Sequence, residues 1–179
     1  MKRLLLIVLP LLLIVGCSSP EPINYEETLN ERDGVFYTKD TNKPYSGQVF
    51  SLYDDGKKKG EGTLKDGKED GKWTYFHSNG QKFREGTYKN EKEDGLWTRW
   101  YESGQKWEEG TFKDGKKDGL WTRLYWNGQK KLEGTWKDGE WDGLTTLWYE
   151  NGQKWNEETY EDGESISKKS WNEDGSVRE

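Results

Sequence analysis

One glycine pattern recurs every 24 residues along most of this chain. Three glycine series keep that spacing, and they begin at Gly47, Gly56 and Gly62. The register does not slip between neighbouring units. Self-similarity at a fixed period of about 20 to 50 residues is typical of repeat proteins, in which each unit stacks on its neighbours. We therefore expect a repeat array rather than a conventional globular core.

Each 24-residue unit contains two turn signals of the kind found in β-hairpins. One is Asn79-Gly80 and its equivalents, and the other is Asp66-Gly67 and its equivalents. Asn-Gly and Asp-Gly favour type I′ turns, in which both central residues have positive φ. The segments between the turns are rich in Trp, Tyr, Phe and Thr, which favour strands. The pattern predicts an all-β fold, an elongated antiparallel meander with one hairpin per repeat.

The two strands of a hairpin differ in length, which predicts an irregularity in every unit. Nine residues separate the turn at 79–80 from the turn at 90–91, and eleven separate that turn from the one at 103–104. The surplus lies around Asp94-Gly95, and Asp-Gly recurs at the same place in the other units. We expect a β-bulge or bend there, which re-aims the strand and curves the sheet.

The composition fits a thin, solvated sheet and argues against nucleic acid as a partner. All 11 Trp, 10 Tyr and 5 Phe residues lie after residue 16. The net charge is −6, and removal of a leader that contains Lys2 and Arg3 makes it more negative. Charge of this sign repels phosphate backbones and anionic lipid heads.

The N-terminus resembles a bacterial lipoprotein leader. Two basic residues precede an apolar run over residues 4–15, which ends just before Cys17. A bilayer span needs about 20 apolar residues, so the shorter run predicts a signal peptide over residues 1–16. Ile14-Val15-Gly16-Cys17 is similar to the lipobox, in which the cysteine is lipidated and becomes the first mature residue. An ordinary secretory signal followed by an unrelated cysteine is the alternative.

The lipobox resemblance implies a mature chain that is anchored in the cell envelope through acyl chains on Cys17. Cys17 is the only cysteine, so it has no partner for an internal disulfide. Ser18 takes the place of the aspartate that retains such lipoproteins in the inner membrane. The expected location is therefore the outer membrane, if the organism has one. Residues 17–33, in which Ser, Pro, Glu and Asn dominate, are expected to form a flexible tether.

Residues 34–179 resemble the MORN-repeat family, and in particular its bacterial variant. The family core is Gly, any residue, an aromatic residue, two residues, Gly, three residues and Gly, and here it spans Gly110 to Gly119 with Phe112 in the aromatic place. The variant carries a tryptophan where the usual family has a further glycine. This chain does so at Trp73, Trp97 and Trp121.

The family resemblance also implies the domain limits and one possible function. It predicts a cap over residues 34–46, repeats over 47–163 and a closing cap over 164–179, because the exposed ends of an array need atypical units. Variant repeats of this kind occur in the YwqK-like antitoxin group. An antitoxin or immunity role is thus an implication of fold-level resemblance alone.

Few residues suit catalysis or metal binding. The single histidine, His77, stands where other units have tyrosine, so we interpret it as an aromatic substitution near a turn. Asp66 and Asp70 flank a turn, and their equivalents keep the same spacing, which turn formation explains better than a calcium site. A catalytic carboxylate pair is needed once, in one cleft, whereas these pairs recur. We expect no enzymatic activity, no metal site and no cofactor.

Rows of aromatic and basic side chains are the candidates for binding. Strand alternation places Trp97, Arg99 and Tyr101 on one face, and the next hairpin repeats that set. One interpretation treats these rows as cross-strand ladders that stabilise the sheet. The other is that a sheet without covering helices leaves aromatic surface exposed, where Trp, Tyr and Arg favour interaction. The candidates are Trp97, Arg99, Tyr101, Trp107, Trp121, Arg123, Tyr125 and Trp155.

Several functions remain open at this point. The favoured hypothesis is a protein-binding or scaffold module on the cell envelope. Binding of peptidoglycan or another glycan is the second, because Trp and Tyr rings can stack on sugar rings. A passive surface coat without a ligand is the third, and a hydrolytic enzyme is disfavoured because the chain lacks a set of nucleophile, base and orienting group.

Overall fold

A computed structural model describes residues 20–178 of the chain. The predicted signal peptide and the predicted lipidation site, Cys17, lie outside the described residues. The described part contains one short helix, α1 (Tyr25–Thr28), and sixteen strands. The strands are β1 (Ile23–Asn24), β2 (Leu29–Arg32), β3 (Val35–Thr38), β4 (Gly47–Leu52), β5 (Lys58–Lys65), β6 (Lys68–Phe76), β7 (Lys82–Lys89), β8 (Lys92–Glu93), β9 (Gly95–Trp100), β10 (Lys106–Lys113), β11 (Lys116–Leu124), β12 (Lys130–Lys137), β13 (Glu140–Trp141), β14 (Gly143–Trp148), β15 (Lys154–Glu161) and β16 (Glu164–Ser170).

Most strands form one long antiparallel meander. From β4 to β16 the spatial order follows the chain order, and the short strands β8 and β13 pair with β7 and β12. At the N-terminal edge, β1 adds to β4 in the parallel direction. Strands β2 and β3 form a separate two-stranded hairpin. The sheet confirms the predicted all-β meander of hairpin repeats.

The Asp-Gly turns have the predicted type I′ backbone. Asp66 and Gly67 have φ angles of 51° and 80°, so both central residues are left-handed. The other Asp-Gly tips repeat this geometry at Asp114, Asp138 and Asp162 with the glycines that follow them. The equivalent tip at Asn90 and Glu91 also has two positive φ angles, although it lacks a glycine.

The Asn-Gly turns differ from the prediction. At the tip of β6–β7 only Gly80 has a positive φ, 85°. Its N–H donates to the His77 carbonyl at 2.8 Å, and the N–H of His77 donates to the Gln81 carbonyl at 2.8 Å. This pattern is a type I turn followed by a left-handed glycine. The Asn79 side-chain oxygen accepts from the Gln81 N–H at 2.9 Å and stabilises this turn, so the type I′ prediction was wrong here.

The predicted strand irregularity lies at the Asp-Gly pair of each unit. In the β10–β11 hairpin, Gly110 pairs with Trp121 and Phe112 pairs with Lys117. One residue of β10 therefore faces three residues of β11. Gly119 lies in this bulge with a φ of 95°, which glycine adopts without the steric cost of a side chain. The prediction of a bulge at this position is confirmed.

A tryptophan ring lies flat on a glycine of the neighbouring strand in three successive units. A Cβ atom added to Gly86 would lie 2.0 Å from Cδ2 of Trp97, and one added to Gly110 would lie 2.2 Å from Cδ2 of Trp121. Trp73 covers Gly62 in the same way. The two central tryptophans are only 2% exposed. A sheet with a single layer thus buries its largest side chains against its own backbone.

Other aromatic rings link these tryptophans into a continuous row along the sheet. Tyr88 contacts Trp97 edge-to-face with 5.1 Å between ring centroids, and Phe112 contacts Trp121 in the same geometry at 5.1 Å. Edge-to-face pairs at such distances are favourable beyond the apolar area that they bury. Each hairpin is therefore joined to the next by side-chain packing as well as by the hydrogen bonds between strands.

The fourth unit fills the same space with a different residue. Thr145 stands at the place that Trp121 holds one unit earlier, and Trp141 has moved into the vacated volume. A Cβ added to Gly134 would lie 2.7 Å from Cζ3 of Trp141 and 2.6 Å from the Thr145 hydroxyl. The unit therefore keeps a tryptophan over its glycine even though the tryptophan comes from another position.

Part of the segment that the sequence predicts to be a flexible tether, residues 17–33, has regular secondary structure. Residues 23–32 instead form β1, α1 and β2. Leu29 is buried with Val49 against the first tryptophan of the row, Trp73, and the Tyr25 ring contacts Trp73 edge-to-face at 6.3 Å. Burial of these apolar side chains offsets the conformational entropy lost on ordering. The N-terminal cap therefore starts earlier than residue 34.

The contact between glycine and tryptophan leads to the first testable prediction. Gly86→Ala should lower the free energy of unfolding by about 2 to 3 kcal/mol, because the added methyl group overlaps the Trp97 ring. Urea unfolding followed by tryptophan fluorescence measures the change. The control is Gly80→Ala, where a Cβ meets nothing within 4 Å and only the positive φ costs, about 1 kcal/mol. Equal losses for the two variants would contradict the stacking account.

Candidate functional site

One face of the sheet repeats almost unchanged from unit to unit. We call it the threonine face, and it carries Thr98, Lys106 and Glu109. The Lys106 ammonium lies 2.6 Å from the Glu109 carboxylate, which also accepts from the Thr98 hydroxyl at 3.1 Å. The same Lys–Glu pair recurs in neighbouring units, and this face also exposes a repeated row of Leu96, Leu120 and Leu144. Identical residues in every unit serve the stacking of units.

The opposite face, which we call the aromatic face, carries the tryptophan row and differs from unit to unit. Three places around each tryptophan vary in both charge and size. The first place holds Tyr75, Arg99, Arg123 and Leu147. The second holds Arg84, Glu108, Leu132 and Asn156. The third holds Glu69, Glu93, Lys117 and Trp141. Packing that is common to all units does not require this variety, so the aromatic face is the candidate functional surface.

Two of the predicted binding residues, Trp97 and Trp121, are buried and belong to the framework. Each ring has glycine on one side and a cation on the other. The Arg84 guanidinium lies 4.0 Å from the Trp97 ring centroid, and the Lys117 ammonium lies 4.1 Å from that of Trp121. Neither ring has a free side for a partner. The ladder interpretation therefore applies to these two residues, and direct binding by them is corrected to a supporting role.

Tyr101 and Tyr125, which were also predicted to bind, connect neighbouring units. The Tyr101 hydroxyl donates to the Leu124 carbonyl at 2.9 Å, and the Tyr125 hydroxyl donates to the Trp148 carbonyl at 2.7 Å. His77 stands at the equivalent place, and its Nε2 lies 2.9 Å from the carbonyl of Trp100. These side chains form one row of links between turns. The histidine fills a tyrosine place and makes the tyrosine contact.

Arg99 and Arg123 converge on a glutamate that sequence reasoning missed. Glu108 is 1% exposed, and its two carboxylate oxygens have different arginine partners. Nη1 of Arg99 lies 2.8 Å from Oε1, and Nε of Arg123 contacts Oε2. A buried carboxylate needs such pairing, because an isolated buried charge is costly. The only available signal was that residue 108 differs in type from residues 84 and 132, its equivalents in the adjacent units.

A third cation, Lys117, leaves this cluster with an excess of positive charge. Its ammonium lies between two rings, 4.1 Å from the centroid of Trp121 and 4.6 Å from that of Trp136. Burial lowers the pKa of Lys117, while the charge of Glu108 opposes that shift. Among residues 20–178, Lys117 has no carboxylate within 4.0 Å. Three cations thus surround one carboxylate in a chain whose net charge is −6.

A cavity opens beside the cationic cluster. Its volume is ≈ 250 Å³, and apolar side chains make up most of its lining. It is lined by Lys117, Trp121, Arg123, Leu132, Trp136 and Trp141. The aromatic face therefore presents positive charge and an apolar recess side by side.

Trp107 and Trp155, the last two predicted binding residues, lie at the surface. The Trp155 side chain is 42% exposed and contacts Tyr149 with 6.3 Å between ring centroids. Trp107 is half-buried and lies 6.2 Å from the Tyr101 ring. The Arg99 guanidinium lies 5.9 Å from the Trp107 ring centroid. A binding role for these two tryptophans and for the two arginines stays a prediction.

Within residues 20–178, no group of three or more His, Cys, Asp and Glu side chains is placed to hold a metal ion. No helix in that range is long and apolar enough to cross a membrane.

The single-layer sheet, with one face that carries a repeated Thr–Lys–Glu set and one variable face, defines a tandem β-hairpin repeat protein. Three segments match the family model of the MORN repeat variant, namely residues 69–90, 93–114 and 141–162. Their starting points keep the 24-residue register, and each spans one Asp-Gly bulge and one return strand. The chain therefore contains MORN-variant repeats, as the sequence pattern predicts. A search of curated proteins finds no match to the chain.

Arg99 and Arg123 hold the Glu108 carboxylate between them, and we call this arrangement the arginine clamp. It leads to a stability prediction. Glu108→Gln should lower the free energy of unfolding by about 3 kcal/mol, because it leaves two partly buried guanidinium groups without their charged partner. Glu109→Gln is the matched control on the threonine face, where the side chain is 35% exposed and the change should stay within about 1 kcal/mol. Thermal unfolding of both variants measures the difference, and a loss for Glu109→Gln as large as that for Glu108→Gln would refute the clamp.

Proposed function

We propose that this protein is a lipid-anchored protein of the cell envelope whose aromatic face binds a protein partner. The observation that carries the proposal is the contrast between the two faces. The threonine face repeats the residues that every unit needs, whereas the aromatic face varies around each tryptophan. A partner with a unique surface requires a unique set of contacts, and Trp and Arg are favoured in such contacts.

The exposed residues of the aromatic face favour a protein over a glycan. A regular polysaccharide would be matched by identical exposed rings in successive units. Among the rings that repeat, Trp97 and Trp121 are buried, and Tyr101 and Tyr125 are half-buried with their hydroxyls bonded to the next unit. The surface place of Trp107 holds Lys131 in the next unit and Trp155 in the one after, so exposed rings do not occur in successive units there. Protein interfaces instead combine aromatic anchors with a mixed polar surround. A role as an antitoxin or immunity protein is one form of such binding, and only the family resemblance supports it.

The envelope location rests on the leader and not on the repeat sheet. The lipobox resemblance at Ile14 to Cys17 supports lipidation, and two or more acyl chains are enough for stable anchoring. An anchored chain would stay within reach of the membrane that carries it. We therefore place the partner in the envelope, either in the membrane or near its surface.

Site-specific photocrosslinking in the cells that produce the protein tests this proposal. A benzophenone amino acid replaces Trp107 on the aromatic face or Lys106 on the threonine face, in the full-length chain. Because these neighbours point to opposite faces, irradiation should give a discrete protein adduct at position 107 and none at position 106. Adducts to wall polymer alone would favour the glycan alternative. Equal adducts at both positions, or none at either, would refute binding through the aromatic face.

The anchoring is tested in the same cells with a second variant. Cys17→Ser should move the protein from the membrane pellet to the soluble fraction, because the thiol that would carry the lipid is removed. Ser103→Ala, which changes an exposed serine in a turn, is the control for expression. A Cys17→Ser protein that stays in the pellet as before would contradict lipid anchoring.

A further inference from the structure

We propose that the cationic cluster of Arg99, Lys117 and Arg123, with its adjoining cavity, receives an acidic segment of the protein partner, in which a carboxylate side chain stands next to an apolar side chain. This inference rests on the proposed function, because it names the chemistry that the aromatic face recognises. It is carried by three features of the described structure: the local charge, the free donors and the apolar recess.

The excess positive charge of the cluster favours an anionic ligand. Within residues 20–178 no carboxylate lies within 4.0 Å of Lys117, and each oxygen of the nearby Glu108 is already in contact with an arginine. The three cations therefore retain two positive charges that nothing within residues 20–178 neutralises. Attraction between unlike charges of partly buried groups is stronger than at an open surface, because less water screens it.

The cations keep donors that an incoming carboxylate can use. The Arg123 side chain is 41% exposed and contacts Glu108 through Nε, while the Arg99 side chain is 28% exposed and contacts Glu108 through Nη1. Since a guanidinium has five N–H donors, both arginines have further N–H groups available. Charge-assisted bonds from arginine to carboxylate are among the strongest hydrogen bonds in proteins.

The recess next to the cations is apolar. Leu132 and Trp136 line it together with Trp141, and Leu132 occupies the place that Glu108 holds one unit earlier. The change from glutamate to leucine removes a charge on this side of the cluster. An occupant must therefore offer a negative group toward Arg123 and Lys117 and an apolar group toward Leu132.

A peptide fits these demands better than the other common anions. Phosphate groups and anionic sugars are hydrophilic on every side, so they leave the apolar recess unfilled. A long polyanion would also meet Glu69, which lies on the same face beside Trp73, while Glu93 beside Trp97 is already paired with Arg84. A short segment with Asp or Glu beside Leu, Ile or Phe satisfies both parts of the site.

Selection from a phage-displayed library of random dodecamer peptides on the immobilised full-length chain tests the inference. The wild-type chain should enrich peptides in which Asp or Glu is adjacent to a large apolar residue. Lys117→Met removes the cation that has no carboxylate partner among the described residues, and it should lower the affinity of an enriched peptide at least tenfold by fluorescence anisotropy. Lys116→Met, a change at the exposed neighbouring residue, should leave the affinity unchanged.

Two further measurements separate the parts of the site. Leu132→Glu adds a charge to the recess and should also weaken binding tenfold or more, while an analogue of the peptide with Asn and Gln in place of its acids should not bind. Competition by inorganic phosphate at millimolar concentration should be weak, because phosphate lacks the apolar group. Circular dichroism and the urea midpoint confirm that each variant folds.

The inference is overturned if the selection yields no acidic–apolar pairs, if the amide analogue binds as well as the acid, or if Lys117→Met and Lys116→Met behave alike. Phosphate that displaces the peptide completely would assign the site to phosphate-bearing ligands instead. Failure here is distinct from failure of the proposed function. A protein adduct at position 107 without acidic–apolar selection removes only this inference, whereas adducts to wall polymer alone remove the function on which it rests.

Discussion

The contact between a flat tryptophan ring and a glycine on the next strand is the interaction on which the sheet depends. A sheet without a second layer has no interior between layers, so its large side chains must be buried against its own backbone. Glycine makes this possible, because any Cβ at Gly86 or Gly110 would overlap the ring. Aromatic rings dominate packing energetics, and here they bury their area within one layer. The 24-residue period keeps each tryptophan in register with the glycine that it covers.

This arrangement separates support from recognition. The ring row and the Lys–Glu–Thr sets of the threonine face satisfy the needs that all units share, which leaves the residues around each ring free to differ. Lys117 has a double role, because it covers a ring and also brings positive charge to the aromatic face, whereas Arg84 covers a ring and is paired with Glu93. A binding site of specific charge can thus arise on a regular scaffold through a few substitutions, as at Glu108 and Leu132.

The period, the Asp-Gly turns and the bulges were predictable because glycine and Asp-Gly have strong local preferences. The Asn-Gly turns were not, because their type depends on which backbone groups close the loop and on the Asn79 side chain. The order of residues 23–32 escaped prediction since Tyr25 and Leu29 find their apolar partners far along the chain. Within the candidate site, strand alternation placed the arginines correctly on one face. It could not show that Trp97 is covered or that Glu108 is buried between two arginines, because both depend on side chains from adjacent strands.

The most direct test of the central claim uses the unit in which the tryptophan has changed position. Trp141→Lys should destabilise the sheet by about 2 kcal/mol or more, because it removes the ring from Gly134 and leaves only the small Thr145 side chain there. Adding Thr145→Trp to that variant restores the arrangement of the preceding unit and should recover most of the lost free energy of unfolding in urea. A double variant no more stable than Trp141→Lys alone would show that the ring over glycine does not hold the sheet together.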